Sequence, residues 1–180
     1  MNIMMKKSTY NKNDLEKILD CLPGMAYQCL YDDDWTMQFV SEGCEKLTSY
    51  QEEEILENLT FSYKEIIHEA DRDKVNKEVT QAVKDHSSYN IEYRIFSKEG
   101  EMKWVWEQGR AIYDKNDNVK YLLGFITNIT NRKLNYNELK DTKERLELAV
   151  QGANLGVWDW NIKTGRININ KNWTDMLGLD

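Results

Sequence analysis

The amino-acid sequence predicts an α+β fold, an antiparallel sheet with short helices on one face and a helix at each end. Residues 89–95 alternate between apolar and polar side chains, which is typical of a strand with one buried face. Turn residues separate this segment from two further strand-like segments at 102–113 and 119–129, so the three form an antiparallel meander. Apolar residues at helical spacing precede the meander at 71–85 and follow it at 130–153.

The composition indicates a chain that folds around a hydrophobic core. It has 180 residues, 41% of them hydrophobic, and a formal net charge of -7. No apolar run approaches the ~20 residues of a membrane span, and no apolar stretch near the start resembles a secretory signal. The acidic balance disfavours nucleic-acid binding, because phosphates require a basic surface. Three cysteines without paired spacing suit a reducing compartment, so we expect a cytoplasmic protein.

The segment before the meander predicts a cap helix within residues 1–22. Leu15, Ile18 and Leu19 fall at helical spacing, and Pro23 with its following glycine ends the segment.

A β-hairpin and two short helices are expected next. Residues 25–31 and 35–40 indicate two strands around three consecutive aspartates. Short helical patterns follow at 41–47 and 52–56.

The helix at 130–153 carries a heptad pattern typical of a coiled coil. The dimer contacts are expected at four of its eight seam positions, Tyr136, Leu139, Leu146 and Val150. Two of the eight seam positions are charged, and the pattern barely exceeds three heptads. A plain amphipathic helix packing on its own domain therefore remains the alternative to a dimeric coiled coil.

Residues 156–180 repeat the start of the chain. They contain two strand-like segments around a turn and then a helix start, as residues 25–47 do. The second copy stops before any meander, which favours a piece of a longer protein.

Five segments occur in the order and spacing of a known family. They are FVSEGCEKLTSY at 39–50, IHEADR at 67–72, EYR at 92–94, KEGEMKWV at 98–105 and GFITNITNRK at 124–133. As a set they make residues 14–133 resemble a PAS domain, while residues 146–180 resemble the first third of another.

The resemblance implies a five-stranded antiparallel sheet with short helices on one face, usually enclosing a small ligand cavity. It divides the chain into a cap helix at 1–22, a PAS domain at 23–129, a signalling helix at 130–153 and the truncated start of a second PAS domain at 154–180. PAS domains are sensory and dimerisation modules. Members with this ending and a following helix typically feed histidine kinases or cyclic-dinucleotide enzymes such as diguanylate cyclases.

The end of the last strand is the expected point of signal transfer. The family ends this strand in Asp-Ile-Thr, and Asn128, Ile129 and Thr130 stand at those positions here. In the family the aspartate often pairs with a basic side chain of the sheet, for which Lys103 is the candidate. Asn128 brings no charge, so we expect a weaker contact.

Side chains on the predicted strands and first short helix are the candidates for lining a ligand pocket, although the same aromatic rings would also fill an ordinary core. The candidates are Tyr27, Phe39, Cys44, Tyr93, Trp104, Trp106 and Phe125.

We expect no cofactor and no catalytic site. His68 and His86 lie beside a predicted helix without a metal-ligand partner, so surface or capping roles are favoured over haem or metal binding. Cys44 lacks the surrounding segment of the family's flavin photosensors and is expected to be a buried small hydrophobe. No phosphate loop or nucleophilic triad is present in the sequence.

The sequence therefore predicts a cytoplasmic, non-catalytic sensory and dimerisation module of a larger signal-transduction protein. Its expected partners are a second copy, an output domain of the same chain and a small-molecule ligand. The alternative is a purely structural interaction module that binds no small ligand.

Overall fold

The computed structural model describes residues 14, 17–19, 21–59 and 61–178. Most of the predicted cap helix at 1–22, including Leu15, lies outside the described residues. The chain divides into two compact units, Met1–Asn131 and Arg132–Asp180.

The first unit is built on a five-stranded antiparallel sheet, which confirms the predicted fold class. Its strands are β1 (Met25–Cys29), β2 (Met37–Val40), β3 (Ser88–Phe96), β4 (Met102–Tyr113) and β5 (Val119–Asn128). They are ordered β2-β1-β5-β4-β3, so the meander of β3, β4 and β5 joins the first hairpin through β5.

Between β2 and β3 the described residues form four helices. They are α1 (Gly43–Thr48), α2 (Glu52–Ile55), α3 (Tyr63–Ile66) and α4 (Glu69–Lys84). Helix α3 was not predicted from the sequence, although Ser62 and Glu65 form a reciprocal capping box at its start.

The core lies between the sheet and the helices. The alternating residues of β3 point inward as predicted, with Ile91 and Tyr93 almost fully buried. Helix α4 packs on β3 and β4 and buries its predicted stripe, which includes Val75 and Val79.

Helix α5 (Thr130–Gly152) begins at the end of the first unit and continues into the second. The second unit further contains a two-stranded antiparallel hairpin of β6 (Trp158–Asn161) and β7 (Arg166–Ile169), followed by α6 (Lys171–Leu177). Every residue of β6 and β7 is exposed. Within the described part of the chain, no helix combines the length and the apolar character that a membrane crossing requires.

Candidate functional site

A cavity of about 20 Å³ lies between the sheet and the helices of the first unit. All five strands contribute to its walls, together with α3 and α4. Four tyrosines, Trp35 and one carboxylate, Glu107, are among the lining residues. The volume suits a single water-sized group, which needs about 10–15 Å³ or more.

Glu107 is the centre of a buried hydrogen-bond network. Its two carboxylate oxygens accept hydrogen bonds from the hydroxyls of Tyr27 and Tyr93, the latter at 2.6 Å. The Tyr27 hydroxyl also lies 2.7 Å from that of Tyr89, and the Tyr93 hydroxyl lies 3.3 Å from that of Tyr63. The five side chains therefore form one line, with the tyrosines on both sides of the carboxylate.

Two glycines make room for two of the tyrosine rings. Gly109 pairs with Tyr89 across β4 and β3, and Gly124 pairs with Tyr27 across β5 and β1. A Cβ atom at Gly109 would lie 2.4 Å from the Tyr89 hydroxyl oxygen, and one at Gly124 would lie 2.5 Å from that of Tyr27. Both distances are far below van der Waals contact, so the rings lie directly over bare backbone.

Burial dominates the ionisation of this network. It raises the pKa of Glu107 above its ordinary value, while the hydrogen bonds from Tyr27 and Tyr93 act in the opposite direction. Burial, followed by the charge of Glu107, raises the pKa of all four tyrosines. The same two causes raise the pKa of the Cys29 thiol, which also lines the cavity.

The start of α5 is held by the backbone of Trp104 on β4. The Trp104 amide donates to the Thr130 hydroxyl at 2.9 Å, and the Ile129 amide donates to the Trp104 carbonyl at 2.8 Å. The Asn128 side chain accepts from the Thr130 amide at 2.8 Å, which satisfies one of the free amides at the helix start. The Lys103 ammonium instead donates to the Leu47 carbonyl at 3.0 Å.

A family model described as a PAS fold matches residues 37–126, half of the chain. The chain belongs to the PAS family. Over 145 residues it is 27% identical to a methyl sulfide methyltransferase-associated sensor of Methanosarcina acetivorans, covering 80% of this chain and 14% of that protein. Over 49 residues it is 45% identical to hybrid signal transduction histidine kinase A of Dictyostelium discoideum, covering 27% of this chain and 2% of that protein. The chain thus spans a small part of both curated relatives.

Solved structures share the fold of this PAS chain. A sensory box histidine kinase/response regulator from Burkholderia thailandensis is 22% identical with a TM-score of 0.56, covering 69% of this chain and 92% of that one. A PAS domain from Colwellia psychrerythraea is 21% identical with the same TM-score of 0.56, covering 66% of this chain and 97% of that one.

The structure brings two of the seven candidate pocket residues of this PAS domain together at the cavity, Tyr27 and Tyr93. Cys44 is fully buried but lies outside the cavity lining, beside the Thr48 hydroxyl.

Four other candidates are on the opposite face of the PAS sheet: Phe39, Trp104, Trp106 and Phe125. Their strand neighbours Val40, Val105 and Ile126 point into the core instead, because successive strand residues alternate between faces.

The predicted contact between Lys103 and Asn128 is absent among the described residues. Lys103 is buried against the Leu47 carbonyl, and its second polar neighbour is Glu101 at 3.5 Å. Asn128 instead caps the turn into α5 through Thr130.

Neither histidine lines the cavity. The His68 ring nitrogen accepts from the Ala70 amide at the start of α4, and its ring stacks on Phe96. His86 follows α4 and lies 3.4 Å from an Asp117 oxygen.

Four polar or aromatic residues of the cavity lining were not predicted from the sequence: Glu107, Tyr63, Tyr89 and Trp35. A signal for two of them was present, since Tyr89 shares the inward phase of β3 with Tyr93, and Glu107 shares that of β4 with Val105. A lone carboxylate in the inward phase of a central strand is unusual enough to mark a site.

Proposed function

We propose that the Glu107 cavity is the sensory site of this PAS domain and that β4 transmits a change there to the start of α5. One observation carries the proposal, namely that the same strand serves both places. Glu107 lies in the cavity, and three residues earlier the backbone of Trp104 holds Ile129 and Thr130. At about 3.3 Å per strand residue, the two points are about 10 Å apart.

The mechanism is a shift between two packings of the sheet. A ligand biases such an equilibrium only through its different affinity for the two states. The cavity is close to the size of one water molecule, so any larger group requires the surrounding tyrosines to move. Because cores are close-packed, that movement displaces β4 instead of being absorbed locally.

Hydrogen exchange of backbone amides tests the proposal. Glu107→Gln alters the centre of the network, and Glu99→Gln removes the same charge at an exposed turn. We expect Glu107→Gln to change exchange at Trp104, Ile129 and Thr130, and Glu99→Gln to leave these amides unchanged. Changes in exchange confined to β1 and β3, the strands that carry Tyr27, Tyr89 and Tyr93, would contradict transmission to α5.

The second candidate function is a purely structural interaction module. The small volume of the cavity is the observation that favours it. Two results together would support this alternative. No small molecule would alter the Glu107 network, and amide exchange at Thr130 would be the same in Glu107→Gln as in the unmodified chain.

The proposal extends to a parallel homodimer through α5. Tyr136, Leu139 and Leu146 are 63–69% exposed, and no residue of the helix is buried. The apolar side chains of such a seam become buried when two of these helices pair. The charged side chains nearby form intrahelical pairs instead, Lys143 with Glu147 at 3.8 Å among them.

We also propose that β6, β7 and α6 begin a second PAS domain. Ser41 exchanges two hydrogen bonds with the backbone of Ala26, and Asn170 makes the same two with Val157. The strand pairing then corresponds as well, since Tyr27 pairs with Val40 where Trp158 pairs with Ile169.

The hairpin of β6 and β7 forms a sheet of two strands only, which supports this second-domain proposal and allows a test of it. Trp158, Trp160 and Ile169 are about half exposed, and a lone hairpin is marginal in water. Limited trypsin digestion should therefore cleave at Lys163 or Arg166 before it cuts β3 to β5. Earlier cleavage within β3 to β5 would contradict the proposal.

The parent protein is proposed to be a cytoplasmic signalling protein in which this segment is not catalytic. Both curated relatives are named as sensor or signal-transduction proteins and are far longer than the matched region. A histidine kinase or a diguanylate cyclase is the proposed type of output. Phosphotransfer or cyclase activity in the purified segment would refute the non-catalytic assignment.

A further inference from the structure

At a pH above the folded pKa of Glu107, where its carboxylate is ionised, the hydroxyl hydrogens of the Glu107 network are all used within it. The network is a line in the order Tyr89, Tyr27, Glu107, Tyr93 and Tyr63, with four links between five side chains. An ionised carboxylate brings no hydrogen, so the four hydroxyl hydrogens fill the four links. Each hydrogen then points along the line toward Glu107.

The filled network offers only acceptors to a ligand. After the four bonds are made, every hydroxyl oxygen keeps at least one lone pair, and the carboxylate keeps two of its four acceptor sites. No hydroxyl hydrogen is left to donate. A neutral acceptor, a carboxylate or a phosphate would therefore meet only lone pairs at the network, whereas a hydrogen-bond donor would be matched there.

The remaining walls suit a cation that carries apolar groups. Trp35 and the four tyrosines bring aromatic rings to the lining, and the faces of such rings attract organic ammonium groups. Aliphatic side chains, including Val75 and Leu122, complete the lining together with Met37 and the Cys29 thiol. Glu107 is the one carboxylate among the lining residues, and the described part of the chain contains no cluster of three or more His, Cys, Asp or Glu side chains that could hold a metal ion.

The loop that supplies Trp35 is strongly acidic. Asp32, Asp33 and Asp34 precede Trp35 and are exposed, and Trp35 itself is buried against the cavity. This loop already attracts an ammonium group, since the Lys64 side chain donates to the Asp33 carbonyl at 2.7 Å and lies 6.0 Å from the Trp35 ring. A clustered negative charge of this kind raises the local concentration of cations.

We propose that the Glu107 cavity binds the ammonium group of a small primary amine, with its N–H groups toward Glu107 and the tyrosine oxygens and its carbon toward the apolar wall. The inference rests on the proposed function only in taking this cavity as the sensory site. Ammonium itself is the size of a water molecule and fits the cavity as it stands, while each added carbon requires the wall to yield.

Three probes on the unmodified chain test the proposal by nuclear magnetic resonance. Methylammonium chloride supplies charge and N–H donors, potassium chloride supplies charge alone, and methanol supplies the same size without charge. We expect saturable shifts of the Tyr27, Tyr89 and Tyr93 amides with methylammonium only. Equal saturable shifts with methanol or with potassium, or no saturable shift with methylammonium, would overturn the proposal.

A matched pair of variants adds a second test. Glu107→Gln should weaken methylammonium binding about tenfold or more, because a hydrogen bond to a charged group is lost. Glu99→Gln should bind methylammonium as the unmodified chain does. Unchanged binding in a folded Glu107→Gln protein would overturn the proposal. The exchange experiment on Thr130 needs no amine, so failure of amine binding and failure of transmission are distinguishable.

Discussion

Substitution of Gly109 by alanine is expected to destabilise the first unit through the ring of Tyr89. The added Cβ would lie 2.4–2.6 Å from three atoms of this side chain, which is also held by its hydrogen bond to Tyr27. Overpacking of a close-packed core costs about 1–3 kcal/mol. Loss of the Tyr89–Tyr27 hydrogen bond adds about 1 kcal/mol. The expected loss of unfolding free energy is therefore about 2–4 kcal/mol.

Chemical denaturation of matched variants measures this effect. Gly152→Ala is the control, because a Cβ there meets no atom within 4 Å and its backbone is helical. Gly124→Ala should resemble Gly109→Ala, since its Cβ would meet the Tyr27 ring. A cost below about 0.5 kcal/mol for Gly109→Ala, the range of ordinary surface substitutions, would refute the reasoning about the rings.

Three further predictions concern Glu107, the pairing of α5 and the Asn128 cap at the start of α5. Burial raises the pKa of Glu107 above its ordinary value of 4.5. Between pH 4.5 and the pKa in the folded state, Glu107 is protonated in the folded protein but has lost its proton in the unfolded protein. The free energy of unfolding therefore falls as the pH rises through this window. Glu107→Gln lacks this loss, and its unfolding free energy relative to the unmodified chain should rise over that window and then level off; a flat difference would contradict it. Replacing Leu139 and Leu146 together by glutamate should give a folded monomer by sedimentation, whereas a monomeric unmodified chain at high concentration would contradict pairing. Asn128→Ala should speed exchange of the Thr130 amide without altering assembly, and unchanged exchange would show that the cap contributes nothing.

The sequence predicted most of the fold because local patterns and tertiary packing agree in most elements. The alternation of residues 89–95 is regular, so β3 and its inward face could be predicted directly. Helix α3 was not predicted because it has four residues and its signal is a capping box alone.

The site was harder to predict because β4 reverses the usual hydrophobic signal. Its inward residues include Lys103, Glu107 and Gly109, whereas Trp104 and Trp106 are on the other face. Hydrophobicity alone therefore selects the wrong face as the cavity wall. The role of Gly109 depends on its pairing with Tyr89 across the sheet, which is a tertiary relation that one strand cannot reveal.

The most direct test of coupling between the cavity and the start of α5 through β4 is the pKa of Glu107 in a variant that alters the contact between β4 and α5. Coupling between two sites is reciprocal, so a change at the joint must change the free energy of protonation in the cavity. Thr130→Val removes the hydroxyl that binds the Trp104 amide, and Thr142→Val is the matched control at an exposed position of α5. Carbon-detected magnetic resonance of the Glu107 carboxyl should show a shifted pKa in Thr130→Val and an unshifted one in Thr142→Val. The same Glu107 pKa in both variants would contradict the account.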